Sequence, residues 1–131
     1  MSIPESLRYS EEHEWVAVAG GVATIGITDD AQEELGDIVV VELPAVGATL
    51  QRAKPLGVVE SVKAVSDVYA PVAGTVTTVN AAVVDNPGLV NFDPYGAGWL
   101  VEVKLEKLQE YELLLDGAAY SETVKRKAAE P

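Results

Sequence analysis

The sequence predicts a mainly β fold of short strands and tight turns with a few short helices, and three observations carry that reading. Valine and isoleucine gather in short pieces, nearly every piece is followed by glycine, proline or asparagine, and apolar residues at helical spacing appear only near the C-terminus. The 131 residues suffice for one core without metal or disulfide staples, so residues 1–131 are read as a single domain.

Each element follows from local chemistry. Trp15–Val18 and Val22–Ile27 flank Gly20-Gly21, a pair suited to the positive φ angles of a hairpin. Thr28-Asp-Asp-Ala-Gln-Glu-Glu-Leu-Gly36 changes texture: a capping hydroxyl, acids in the first turn and a closing glycine predict one short helix. Asp37–Leu43 returns to strand, Pro44–Gly47 turns, and Pro55–Val62 is another strand that runs into Lys63. A second valine-rich arm, Ala64–Tyr69, follows, so Lys63 is expected to crown a hairpin tip. Pro71–Gly74 reads as a turn, Thr75–Val79 as a strand, Asn86-Pro-Gly88 and Asp93-Pro-Tyr-Gly96 as punctuation of a loop-rich stretch, and Trp99–Val103 as a last strand. Within Lys107–Leu115, residues Leu108, Tyr111 and Leu115 share one helical face. Asp116-Gly117 breaks that helix, and Ala118–Arg126 forms a second one.

Composition excludes several functions. Nine basic against 21 acidic residues leave a net charge of −12, which opposes binding to nucleic acid and to anionic membranes. With 48% hydrophobic residues the charge belongs to the surface of a folded body. The chain has no cysteine, so thiol redox chemistry would have to come from a cofactor. No apolar run near Met1–Glu14 resembles a signal sequence, and the long uncharged stretch that includes Tyr69–Val84 is broken by Pro71, Gly74 and Asn80. A cytoplasmic protein is expected.

Among candidate chemistries, the glycines fit turns better than a phosphate loop. The single histidine, His13, has no cysteine partner for zinc and reads as a structural residue or a minor contributor to a site; no metal is expected. Ser61 and Lys63 are spaced as in a serine–lysine dyad, without an accompanying oxyanion site. Acid clusters such as Glu11, Glu12, Glu14 and Asp29, Asp30 suit a solvated acidic surface. Lys125, Arg126 and Lys127 complement a helix C-terminus. The more informative stretch is Glu60-Ser-Val-Lys-Ala-Val-Ser-Asp67, where one lysine stands between two valine-rich arms. A lysine at a tip suits a carrier, because its flexible stem puts an amine where enzymes reach it.

These residues resemble the H protein family of the glycine cleavage system over nearly the whole chain. The similarity runs through Tyr9–Trp15, Gly26–Thr28, Ala31-Gln32, Leu35–Ile38, Val41–Pro44, Glu60–Lys63, Ser66-Asp67, Asn91 and Asp93–Trp99. Glu60-Ser-Val-Lys63, with Gly74 eleven positions on, is similar to the family's lipoyl attachment signature. A biotin carrier would show methionines beside the lysine, where this chain has Val62 and Ala64, and the lipoyl domains of 2-oxoacid dehydrogenases show Asp-Lys-Ala.

The resemblance implies a barrel-sandwich hybrid of small sheets, like a lipoyl domain, with short flanking helices including C-terminal ones. It implies lipoate in amide linkage on Lys63, recognition of the site through Glu60 and Gly74 by a lipoate ligase or a lipoyl/octanoyl transferase, and a cleft for the aminomethyl-bearing arm with carboxylates at Glu14 and Asp67. Position 34, histidine in some relatives, is Glu34. The implied role is that of a monomeric, non-catalytic carrier. It would take an aminomethyl group from the P protein, a glycine decarboxylase, to the T protein, an aminomethyltransferase, and be reoxidised by the L protein, a dihydrolipoamide dehydrogenase. An H-like protein that donates lipoyl groups to other carriers without glycine turnover is the alternative. In a eukaryote the compartment would be the mitochondrial matrix. An extended lysine plus lipoyl chain spans on the order of 10 Å or more, so one redox group can visit several active sites.

Overall fold

A computed structural model describes residues 2–129. β1 (Arg8–Tyr9), β2 (Glu14–Ala19) and β3 (Val22–Ile27) open a six-stranded antiparallel sheet that continues through β9 (Val101–Leu105), β8 (Gly74–Val79) and β5 (Thr49–Leu50) in the order β1-β2-β3-β9-β8-β5. β4 (Ile38–Glu42), β6 (Pro55–Ser61) and β7 (Val65–Tyr69) form a second, three-stranded antiparallel sheet in the order β4-β6-β7. Among the described residues there are five helices, α1 (Asp29–Leu35), α2 (Ala81–Asp85), α3 (Gly88–Phe92), α4 (Leu108–Glu112) and α5 (Gly117–Ala129). The chain thus adopts the expected mainly β, barrel-sandwich arrangement with short helices, one of them C-terminal.

Alternation on the strands makes the core. Val16, Ile25, Val76 and Val103 from the large sheet meet Val41, Val59 and Val68 from the small one, all buried. On the other side of the large sheet a smaller aromatic cluster holds Tyr9, Trp15 and Tyr120, with the rings of Tyr9 and Tyr120 stacked at 4.6 Å. Fully burying one such side chain contributes about 1.5–3 kcal/mol, so the two clusters account for most of the cohesion.

The predicted β2–β3 hairpin is present, with φ of +59° at Gly20 and +78° at Gly21 as a two-residue turn of this hand requires. Thr28 caps α1 by accepting the Ala31 N–H. Several boundaries differ from expectation. β1 and β5 are two residues long, too short to leave a pattern in sequence. The stretch read as loop contains α2 and α3, each five residues, with Asn80 capping α2. The helix expected over Lys107–Leu115 ends at Glu112, because Leu115 exchanges both backbone hydrogen bonds with Tyr9 at 2.8 Å. Leu108 is therefore 53% exposed and does not join Leu115 on a buried face. Asp116 starts α5 by accepting the Ala119 N–H, so Gly117 opens a helix and does not break one. Gly74 opens β8 and does not close a turn. Among the described residues, no helix is long and apolar enough to cross a membrane.

Candidate functional site

Lys63 crowns the β6–β7 hairpin, whose register pairs Glu60 with Val65 and Val58 with Asp67. The tip is built without a left-handed residue, and Ser61 supplies the missing partners. Its buried hydroxyl accepts the N–H groups of Lys63 at 3.3 Å and Ala64 at 3.0 Å, while its own N–H donates to the Ala64 carbonyl at 2.8 Å. That removes the serine–lysine reading: Ser61 is 5% exposed and its oxygen is committed to backbone. Val62 and Val65 beside Lys63 are 71% and 67% exposed.

The tip is fixed to the segment that leads from α1 into the neighbouring strand β4. The Val62 N–H donates to the Asp37 carbonyl at 3.1 Å, and the Lys63 stem lies beside Gly36, where a Cβ would stand 3.4 Å from Lys63 Cε. Gly36 closes α1 at φ +80°. Asn91 on α3 holds this segment with one side-chain amide, donating to the Gly36 carbonyl at 2.8 Å and the Gln32 amide oxygen at 3.0 Å while accepting from the Ile38 N–H at 2.8 Å. Among the described residues, Lys63 forms no ion pair.

The other expected site residues fall in three places. Glu60 is half-buried on the outer face of the small sheet, between Val40 and Val65; Asp67 is exposed on that face, opposite Val58. Gly74 lies in the large sheet, where an added Cβ would collide with the Lys104 carbonyl oxygen and Val103.

Glu14 is only 2% exposed and faces a cavity of about 310 Å³ shared with Glu11, Glu12, Arg52, Tyr69 and Leu114. It accepts the Ser10 hydroxyl at 2.6 Å and the Tyr69 N–H at 3.3 Å. Burial pushes its carboxyl up to about 8, against the lowering effect of these two hydrogen bonds and with a small further rise from Glu12. At neutral pH Glu14 is mostly an uncharged acid, and an arriving cation would favour its ionised form. Tyr69, at the foot of β7, joins this cavity, whereas Asp67, two residues nearer the tip, does not line it.

His13 stands immediately before Glu14 with φ +69°. Its Nδ1 is 2.7 Å from the Tyr120 hydroxyl and 3.5 Å from Asp30, and its Nε2 is 3.1 Å from the Lys127 ammonium. Burial first, and Lys127 second, hold its proton affinity below the usual imidazole range against Asp30, Glu34 and Glu12. Glu34 thus belongs to the surroundings of His13 and is not a lining residue of the cavity. Arg52 and Tyr69 were not singled out in the sequence: Arg52 sits in a turn with no motif, and Tyr69 reads as an ordinary strand residue. Among the described residues, no cluster of three or more metal-ligating side chains occurs.

A sequence-family model described as Glycine cleavage H-protein matches residues 7–127. A glycine cleavage system H protein of Bacillus cytotoxicus is 57% identical over 122 residues, covering 93% of this chain and 96% of the relative. One from Brevibacillus brevis is 55% identical over 125 residues, covering 95% and 99%. The crystal structure of a glycine cleavage system H protein from Mycobacterium marinum superposes with a TM-score of 0.84 at 40% identity, covering 96% of this chain and 99% of that one.

Proposed function

The chain belongs to the glycine cleavage H-protein family, and on that premise we propose that it is a non-catalytic lipoyl carrier whose attachment point is Lys63. The observation that carries the reading is the pairing of an exposed lysine at a hairpin tip with a buried acid, Glu14, in a cavity at the foot of the same hairpin. Acylating Lys63 would remove its charge, and since no ion pair to it exists among the described residues, no carboxylate would be stranded. The donor set therefore fits an amide-linked lipoyl group. When bound, that group supplies reversible disulfide–dithiol chemistry able to take up an aminomethyl group from the P protein, yield it to the T protein and return to the disulfide through the L protein.

The chain's own contribution is positioning and electrostatics. Ser61, Gly36 and Asn91 fix the root of the lysine. Glu60 on the outer face marks the lysine for a lipoate ligase or a lipoyl/octanoyl transferase, and Gly74 keeps the β8–β9 contact on which the hairpin's neighbouring sheet depends. Asp67 on the exposed strand face and Glu14 in the cavity provide carboxyl groups for the cationic amine, and the burial of Glu14 strengthens its share of the pairing. The net charge of −12 suits basic faces on the P, T and L enzymes and leaves no role for nucleic acid or membrane. The carrier works as one domain, a monomer, in the cytoplasm.

Intact mass and peptide mapping after exposure to a lipoate ligase test the reading. A lipoyl increment on Lys63, absent from Lys63→Arg, is expected together with glycine–bicarbonate exchange in the presence of P protein. An unmodified wild-type chain, or exchange retained by Lys63→Arg, overturns it. The relay reading, lipoyl donation to other carriers, predicts the same increment without exchange.

A further inference from the structure

We propose that His13 is a positioning residue for Glu14, through which the C-terminal helix α5 sets the geometry of the acidic cavity. The inference rests on the reading of that cavity given above. The turn between β1 and β2 is a closed arch: the Ser10 N–H donates to the Glu14 carbonyl at 2.9 Å, the Glu14 N–H to the Ser10 hydroxyl at 3.0 Å, and the His13 N–H to the Ser10 carbonyl at 3.2 Å. The same arch aims the Ser10 hydroxyl at the Glu14 carboxyl. It closes with His13 in the left-handed region, a backbone conformation that residues other than glycine disfavour. Glycine or asparagine would adopt that backbone more readily, so the imidazole has a use of its own.

That use is visible in what grips the ring. Lys127 donates to Nε2, which leaves the ring proton on Nδ1 to be donated to the Tyr120 oxygen, and Tyr120 in turn donates to Thr28 Oγ1 at 2.8 Å. Tyr120 and Thr28 are fully buried, and Thr28 also donates its N–H to the His13 carbonyl at 3.0 Å. His13 is therefore clamped between α5 and the cap of α1, and Glu14 is the next residue. The charged groups around the clamp are Asp30, Glu34, Glu12 and Lys127; those around Glu14 are Glu11, Glu12 and Arg52.

The test uses the full, unlipoylated chain, reading the Glu14 carboxyl titration by carbon-13 NMR in His13→Gly, His13→Asn, Tyr120→Phe and Lys127→Gln. Because burial is the largest cause of the raised Glu14 value, releasing the arch from α5 should move its midpoint down in His13→Gly and Tyr120→Phe, less in Lys127→Gln, and least in His13→Asn, whose amide keeps a donor. In the lipoylated chain the same order should hold for loss of glycine–bicarbonate exchange, roughly two- to tenfold, the range spanned by one hydrogen bond. A fall in thermal stability with an unmoved Glu14 midpoint in all four variants overturns the inference and leaves a merely structural clamp. If the midpoint moves but Glu14→Gln leaves exchange intact, His13 positions Glu14 and it is the cavity reading that fails.

Discussion

Replacing Glu14 with glutamine should make the stability of the chain less dependent on pH. In the folded chain the carboxyl titrates near 8, against an ordinary value of 4.5. Above pH 4.5 the unfolded chain gives up this proton while the folded chain keeps it, so each pH unit favours unfolding by about 1.4 kcal/mol until the folded group also ionises near pH 8. The cumulative loss in the wild type is about 3 kcal/mol by pH 7 and levels off at about 5 kcal/mol above pH 8. Glutamine has nearly the same shape, does not titrate, and keeps an acceptor for the Ser10 hydroxyl. Urea unfolding of both chains at intervals from pH 5 to pH 9 isolates the effect, since every other titrating group is common to both. The stability gap should widen in favour of Glu14→Gln by about 4 kcal/mol between pH 5 and pH 8, or about 2 M in urea midpoint for a slope near 2 kcal/mol/M, and then stay level. A gap that is constant across this range would mean Glu14 is already a carboxylate in the fold. A gap that narrows with pH would mean the carboxylate is stabilised by its surroundings, and the account of the cavity would be wrong.

Other outcomes can be checked more simply. Lys63→Arg should leave the free energy of urea unfolding unchanged within about 0.5 kcal/mol, since its side chain is exposed, while intact mass shows no acylation. Gly74→Ala should lower stability by about 1–3 kcal/mol in thermal unfolding, because the added methyl meets the β9 backbone, and any loss of lipoylation should follow the unfolding curve. Asn91→Ala leaves the Ile38 N–H and the Gly36 carbonyl without their partner and should cost about 1–3 kcal/mol, with faster amide exchange at Ile38. Asp67→Asn should leave stability nearly unchanged but speed release of formaldehyde and ammonia from the glycine-charged protein; an unchanged rate would remove Asp67 from the amine's surroundings.

The parts of the fold that were legible in sequence are those fixed by adjacent residues. Gly20-Gly21 carries its own turn, Thr28 and Gly36 carry both ends of α1, and the valine arms around Lys63 carry the hairpin. What escaped depends on distant partners. Leu115 follows a helical spacing and yet leaves the helix, because Tyr9 offers it two backbone hydrogen bonds from the other end of the chain. α2 and α3 hold only one buried residue each, Val83 and Val90, too few for a period to show. The same division applies to the site. Lys63 is announced by its neighbours, whereas the burial of Glu14 follows from Tyr69, Arg52 and Leu114, which no local pattern links to it.

The strand β7 starts just beyond Lys63 and ends at Tyr69 on the cavity wall, so its length sets how far apart the two ends of the carrier's working surface lie. Four residue steps in a strand cover about 13 Å, roughly twice the ~6 Å of a lysine stem. The hairpin is in effect a ruler cut to a small molecule. Adding one residue to each arm would turn the outer face inward, and adding two would restore the face but lift the tip by about 7 Å. On the lipoyl-carrier reading, the carbon count of the acyl chain that Lys63 would bear, which the protein does not encode, becomes a constraint on how many residues β6 and β7 can contain.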